Sequence, residues 1–451
     1  MPTITLRQAA AWCGGTVEEK YADIPFNGAN IDSRIIKPGQ LFIVLQAARD
    51  GHDFIPMAME KGAAAALCSR KVGDYPAIYV EDPRIALGQI AHHALQAIHP
   101  KVVAVTGSVG KSTTKEMIAA VLSSTYRVSK TPANHNNDLG MPMAILAMSE
   151  DTEVAVLEMG MNHFREIAYL SEIARPDVAV IINIGTAHIE FLGSREGIRT
   201  AKMEITEGMG EKGLLILNGD DTMLRHLDKI PQQRITYFGQ SEGCDIQGVE
   251  VQQQEKLCFH ANAGKLSLPI ELELEGDHFV NDALAAVAVG LKLMVPSENI
   301  AQSLAAFRNI SGRQETYQAK GVTIINDCYN AGPESMEASL KVLGTKPQKR
   351  IAILGDMLEL GSAASAEHFK IGRIAAEKAD LLLVIGPHAG RVLDGARTGG
   401  MADDKAFAFE TREELTAMLK RAAKPGDTLL FKASHSMHLE QVLEAFLKEE
   451  K

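Results

Sequence analysis

A chain of 451 residues is too long for one ordinary hydrophobic core and fits roughly two to four domains. Hydrophobic residues at 46% and charged residues at 23% allow real cores under a polar surface, and a formal net charge of −11 without a basic patch argues against nucleic acid as a partner. Five scattered cysteines (Cys13, Cys68, Cys244, Cys258, Cys328) form no CxxC pair, which points away from a disulfide framework or zinc site and toward a reducing compartment.

The start "MPTITLRQAAAW" lacks a basic flank followed by an apolar signal core, and no apolar run approaches the about 20 residues that span a bilayer. The expected address is the cytoplasm, without membrane insertion. "ITLRQAAAWCGG" predicts a short helix closed by glycines. "QLFIVLQAA", "AAAALCS" and "AIYVED" predict strands around the helical "FIPMAMEKG", and "PRIALGQIAHHALQAI" predicts an amphipathic helix leading to a boundary at Pro100. From Lys101 strand and helix alternate: "VVAVTG", "KEMIAAVL", "VAVLEMG", "REIAYLSEIA", "VAVIINI". That pattern predicts a parallel sheet with helices on both faces. Between Gly213 and Gly276, shorter runs such as "KLSLPIELELEG" predict an antiparallel extension. After "SGRQE" a third α/β pattern begins with "VTIINDCYN", "RIAILGDM", "DLLLVIG" and "DTLLFKAS", each a strand ending in a polar loop. The expected fold class is α/β in three domains, residues 1–100, 101–313 and 314–451. Ligands of open parallel sheets sit beyond the carboxyl ends of the strands, where the polar clusters of this chain fall.

The clearest of these clusters is "VVAVTGSVGKSTTKEM". Its glycines let the backbone N–H groups of Thr106, Gly107, Ser108, Val109 and Gly110 approach phosphate oxygens, and the following helix turns its positive end to them. Lys111 would reach the β- and γ-phosphates, and Ser112 or Thr113 would place a hydroxyl on Mg²⁺. The loop is tighter than the common G-x-x-x-x-G-K-[ST] form, whose first glycine falls here on Val105. An ordinary glycine turn before a helix is the plain alternative; strand, loop, GKS and helix in order favour triphosphate binding, without identifying the reaction. "VAVLEMGMNH" ends an apolar strand in Glu158, either a Mg²⁺ ligand or a solvated strand-end acid. "VAVIINIGTAHIEFLGS" places His188 after the next apolar strand. Lys202 in "AKMEI" reads, by pattern alone, as a surface lysine on a helix.

Taken together, "TGSVGKST", "NHNNDLGMP", "LEMGMNH", "NIGTAHIEFLGS", "AKMEI", "SGRQE", "NDCYNAGPESM" and "ILGDMLELG" resemble the Mur ligase family, ATP-dependent amide-bond ligases of peptidoglycan synthesis. The resemblance covers essentially the whole chain. It implies a small α/β N-terminal domain for a UDP-sugar, a central P-loop ATPase-like domain and a Rossmann-like C-terminal domain for the incoming dipeptide. Within the family, "DSRIIKPGQLF", "DGHDF" and "GDMLELG" point to addition of D-alanyl-D-alanine to UDP-MurNAc-tripeptide through an acyl phosphate. The implied cofactors are ATP and two Mg²⁺, the partners small-molecule substrates only, and the state a monomer.

Site roles follow from the resemblance, position by position. Lys111 would cradle the phosphates. Ser112 or Thr113 with Glu158 would hold one Mg²⁺, and His188 the second together with Lys202, which sits where the family carries a carbamylated lysine. Arg313 would reach the ATP phosphates across a domain boundary. Asp327 would bind ribose, and Tyr329 would flank adenine, with Asn330 following in the same loop. Ser33 and Arg34 would contact the uridine nucleotide, and Asn136 and Asn137 would line the junction of substrate and phosphate. Four positions depart from the family pattern. Asp282 replaces an adenine-contacting asparagine and, when ionised, accepts but cannot donate. Gly332 stands where asparagine is usual, Ala47 where glycine is, and Ala433 where glycine is common. Rival expectations are a third-residue-adding or folate-extending ligase of the same mechanism, and a P-loop switch or transport ATPase.

Overall fold

The computed structural model describes residues 3–46, 48–225, 227 and 234–448; Ala47 lies outside them. Helix Leu6–Cys13 starts on a capping box between Thr5 and Gln8 and stops at Gly14 with φ of 64°, as the glycines predict. Five short strands follow in the spatial order Thr16–Val17, Ala77–Tyr79, Ala65–Cys68, Leu41–Ile43, Ala29–Asn30, with only the first pair antiparallel. Helix Pro83–Ile98 begins with Asp82 accepting from the N–H groups of Arg84 and Ile85, with proline at its first position, and ends at His99. Its buried face, Leu87, Ile90, Ala91 and Ala94, joins Leu41, Ile43 and Leu67 of the first sheet to Ala104, Ala155 and Leu157 of the second in one continuous core.

The second sheet has nine strands, in the order Leu266–Leu272, Leu257–Ala263, Ile246–Gln253, Arg234–Gly239, Leu214–Asn218, Val178–Ile181, Lys101–Thr106, Val154–Glu158, Val128–Lys130. Alternation splits each central strand between two cores. Ala104, Ala155 and Ala179 face one layer, while Val103, Val105, Val156 and Val180 face helices Lys111–Ser123 and His278–Lys292. The expected antiparallel extension is shorter than Gly213–Gly276. Leu214–Asn218 and Arg234–Gly239 pair in parallel and prolong the main sheet, and only the last two strands turn antiparallel. Burial follows the pairing: "LLILN" is almost continuously buried, as a parallel strand covered on both faces is, whereas "LSLPIEL" alternates buried and exposed.

The third sheet runs Glu315–Ala319, Val322–Asp327, Thr428–Lys432, Arg350–Gly355, Leu381–Ile385, Ala406–Phe409, parallel after an antiparallel first pair. All five cysteines are free thiols. Among the described residues, no helix is long and apolar enough to cross a membrane.

In the third layer, helices Ala364–Lys378 and Ala389–Thr398 approach through glycine: a Cβ on Gly372 would lie 1.9 Å from the Val392 carbonyl oxygen. Alanine usually stabilises a helix interior by about 1 kcal/mol over glycine, but overpacking costs about 1–3 kcal/mol. Gly372→Ala should therefore lower stability, while Gly390→Ala, where a Cβ meets nothing within 4 Å, should not. Urea unfolding of the two variants checks this, and equal effects would contradict the close packing.

Candidate functional site

The phosphate loop is fixed by both neighbouring strands. Thr106, fully buried, donates its hydroxyl to the Met159 carbonyl at 2.8 Å. Asn183, beyond strand Val178–Ile181, accepts from the N–H groups of Ser108 and Val109 at 3.0 Å each and donates to the Val109 carbonyl at 3.0 Å. Gly107 packs against Ile182. Gly110 has φ of 83°, and a Cβ there would sit 2.7 Å from Asp282 Oδ1, so glycine is required twice over. The N–H groups of Lys111, Ser112 and Thr113 then head helix Lys111–Ser123 without intrahelical acceptors, at its positive end.

Lys111 Nζ donates to the carbonyls of Gly107 and Ser108 at 2.8 and 3.3 Å. Burial pushes its pKa down, with Glu158 opposing. Ser112 Oγ donates to Glu158 Oε2 at 2.8 Å, and Asn136 Nδ2 donates to Glu158 Oε1 at 2.8 Å. Glu158 is 1% exposed, which excludes a solvated strand-end acid. Thr113 Oγ1 turns instead toward Asn309 Oδ1 at 3.4 Å, so Ser112 is the hydroxyl beside the carboxylate. Lys115, absent from the sequence-based set, lies buried 3.7 Å from Glu158 Oε2 and donates to the Thr131 carbonyl at 2.8 Å.

A cavity of 410 Å³ extends from this loop to the carboxyl ends of the third sheet. Ser108, Val109, Gly110, Lys111, Ser112, Thr113, Asn136, Glu158, His188, Asp282, Arg313, Asp327, Tyr329 and Asn330 all line it. Arg313 stacks on the Tyr329 ring at 3.9 Å, and its Nε is buried without a hydrogen-bond partner. Asp327 Oδ2 accepts from Ser339 Oγ at 2.6 Å and Lys432 Nζ at 2.5 Å. His278, another lining residue, is held down to about 4 by burial and is neutral. His188 Nδ1 lies 2.6 Å from Glu359 Oε2, with no aligned hydrogen-bond partner.

Lys202 is not the surface lysine its local pattern predicts: it is 1% exposed. Ile198, Ala201 and Lys202 form the inward stripe of helix Arg195–Met203, so the lysine falls on the buried face. No hydrogen bond or carboxylate partner holds its amine among the described residues. Burial, with the Lys111 charge second, lowers its pKa well below the usual lysine value.

Other expected residues stand apart from the cavity. Asn137 Oδ1 accepts from the N–H groups of Leu139 and Gly140 at the start of helix Gly140–Leu146. Ser33 is buried near Met57, and Arg34 is ion-paired to Asp32 at 2.7 Å on the first sheet's surface. A Cβ on Gly332 would meet nothing within 4 Å, so its departure from asparagine leaves open space. Asn183, Glu334, Glu359 and Lys432 were not singled out from sequence. Asn183 and Lys432 had a signal in their position, one just after an apolar strand and the other at the end of one; the two glutamates had none.

Residues 25–125 match the description "Mur ligase family, catalytic domain", residues 105–290 "Mur ligase middle domain", and residues 312–435 "Mur ligase, glutamate ligase domain". The UDP-N-acetylmuramoyl-tripeptide–D-alanyl-D-alanine ligase of Bacillus subtilis (strain 168) is 38% identical over 454 residues, covering 98% of each chain. A crystal structure of MurF from Acinetobacter baumannii superposes with a TM-score of 0.90 at 31% identity over 100% of both chains. MurF ligase from Thermotoga maritima in complex with ADP gives 0.82 at 32% identity, over 94% of this chain and 97% of that one.

Asp282 accepts from Thr114 Oγ1 at 2.7 Å, and burial raises its pKa from 3.8 to about 7. The native chain thus keeps a proton that the unfolded chain gives up, and stability falls as pH rises from about 4 to about 7. Asp282→Asn removes that cost. Its stabilising effect should be small at pH 4.5 and reach the order of 3 kcal/mol at pH 8, as measured by urea unfolding at both; a pH-independent effect would contradict the raised pKa.

Proposed function

The chain belongs to the Mur ligase family, and from that premise we propose that it is an ATP-dependent amide ligase joining D-alanyl-D-alanine to UDP-N-acetylmuramoyl-tripeptide, with UDP-MurNAc-pentapeptide, ADP and phosphate as products. The observation that carries the reaction class is one cavity in which Lys111, Ser112 and Glu158 face Arg313, whose orphaned guanidinium N–H suits a phosphate oxygen. Full-length likeness to ligases of that name supports the substrate pair.

A free carboxylate is a poor acyl donor because its leaving group would be oxide. Transfer of the ATP γ-phosphoryl group to the tripeptide carboxylate gives an acyl phosphate. The amine of the dipeptide attacks its carbonyl, and the tetrahedral intermediate expels phosphate. The protein's share is positioning and charge neutralisation. The first-turn N–H groups and Lys111 hold the phosphates from the central sheet, and Arg313 holds them from the other side. Asp327, Tyr329 and Asn330 lie beside the nucleoside, and Asn136 stands at the junction with the acyl group. Residues 1–100, with Ser33 and Arg34, are assigned to the UDP-sugar, 101–313 to ATP and 314–451 to the dipeptide. The reading has the chain acting as a monomer in the cytoplasm.

The donor set fits Mg²⁺. Ser112 and Glu158 present hard oxygens side by side. His188 and Lys202 would hold a second ion once Lys202 is carbamylated. Carbon dioxide adds only to a neutral amine, and burial without a carboxylate partner among the described residues shifts Lys202 in that direction. When bound, the ions would neutralise phosphate charge.

Phosphate release with ATP and Mg²⁺ should require both UDP-MurNAc-tripeptide and D-alanyl-D-alanine, with pentapeptide seen by mass spectrometry; release without either substrate would replace the ligase reading with a switch or transport ATPase. Lys202→Ala should abolish ligation, with partial return in the presence of a short carboxylate such as acetate. Full activity of that variant would refute the carbamate.

A further inference from the structure

Glu334 is the second residue of helix Pro333–Gly344, where an acid ordinarily serves the helix dipole. Its carboxylate reaches across to the central sheet instead. Oε1 accepts from the Thr186 N–H at 2.9 Å and from Thr186 Oγ1 at 3.0 Å, and Oε2 lies 3.3 Å from the same hydroxyl. The approach is close enough that a Cβ on Gly185 would sit 2.8 Å from Oε1. The gripped turn is the one that holds the phosphate loop: Gly185 N–H donates to Ser108 Oγ at 2.9 Å, and Asn183 accepts from the N–H groups of Ser108 and Val109 at 3.0 Å. Four consecutive residues, 183–186, thus carry contacts to the loop at one end and to the C-terminal unit at the other. The same turn continues to His188, where Glu359, also from the C-terminal unit, makes a second approach at 2.6 Å.

We propose that Glu334 is a positioning residue. By holding Thr186 it fixes the turn at 183–186, and through Gly185 and Asn183 it sets the phosphate loop, so that phosphoryl transfer is efficient only when the C-terminal unit is docked. The proposal rests on the ligase reading for its kinetic consequence, but not for its geometry. Glu334 lines the same cavity, but its carboxylate accepts from Thr186 and not from a phosphate-binding group; it acts through backbone that reaches the loop. The acceptor geometry, not the charge, makes the contact, so glutamine, whose Oε1 can accept both hydrogen bonds, should serve where alanine cannot.

The test uses the full chain with Glu334→Ala, Glu334→Gln, Thr186→Val and the double variant Glu334→Ala/Thr186→Val. Glu334→Ala should lower kcat by about tenfold to a hundredfold, the scale of a lost charge-assisted hydrogen bond, with KM for UDP-MurNAc-tripeptide unchanged. Glu334→Gln should recover most of that loss, and the double variant should be no worse than Glu334→Ala alone. Hydrogen–deuterium exchange, which needs no turnover, should show faster exchange at 107–110 and 185–188 in Glu334→Ala, with the third sheet unchanged. Unaltered exchange at both segments would overturn the proposal, as would equal damage by glutamine and alanine or strictly additive single effects. If the parent chain makes no pentapeptide, the ligase reading falls, while the exchange comparison still decides the relay.

Discussion

Everything at the centre of this molecule depends on one side-chain amide holding a loop that has no regular structure of its own. Asn183 satisfies two N–H groups and one carbonyl of the segment between Gly107 and Gly110. Gly107 and Ser108 are buried and Val109 and Gly110 half-buried, so leaving those groups unpaired would cost up to about 1–3 kcal/mol each. The N–H groups of Ser108 and Val109, expected from sequence to meet phosphate, are committed to Asn183, which leaves Gly110 and the first turn of the following helix as donors for an anion. The strand order makes this possible. Val178–Ile181 and Val154–Glu158 flank Lys101–Thr106 on opposite sides, so one neighbour supplies Asn183 and the other Glu158.

The charges buried around the loop are not equally settled. Glu158 is compensated by Ser112, Asn136 and Lys115, a network whose hydrogen bonds and ion pair offset the loss of water. Asp282 relieves its burial by keeping a proton. Lys202 has neither remedy among the described residues, and burial lowers its pKa well below the usual lysine value. A hydrophobic residue on that stripe of the helix would pack with less penalty.

Much of this was legible in the residues. Apolar runs ending in Thr106, Glu158 and Asp327 placed three strand ends correctly, because a buried parallel strand leaves an unbroken hydrophobic signature. Gly14 marked a helix end and the run opening at Pro83 a helix start, while the cap supplied by Asp82 was read as part of the preceding strand. Two kinds of information were not legible. The direction of "LLILN" and its neighbour depends on pairing, which period alone does not encode. The burial of Lys202 was hidden because a lysine was read by type, when its spacing from Ile198 and Ala201 already put it on the inward stripe. Glu334 and Glu359 carry no local signal at all: their partners are 148 and 171 residues away, at Thr186 and His188.

Helix Pro83–Ile98 closes the first sheet's core and one layer of the second at once. The N-terminal hundred residues are therefore not an appendage that could be exchanged or cut away. Severed at Pro100, the central sheet would expose the alanine-lined face of three adjacent strands, and the excised fragment would lose the floor of its own core. The third sheet has clusters of its own that contain no residue before Val322. Considered as interchangeable parts, the first two units share a core that the third does not join. Recombination between relatives should tolerate exchange of the third unit better than exchange of the first.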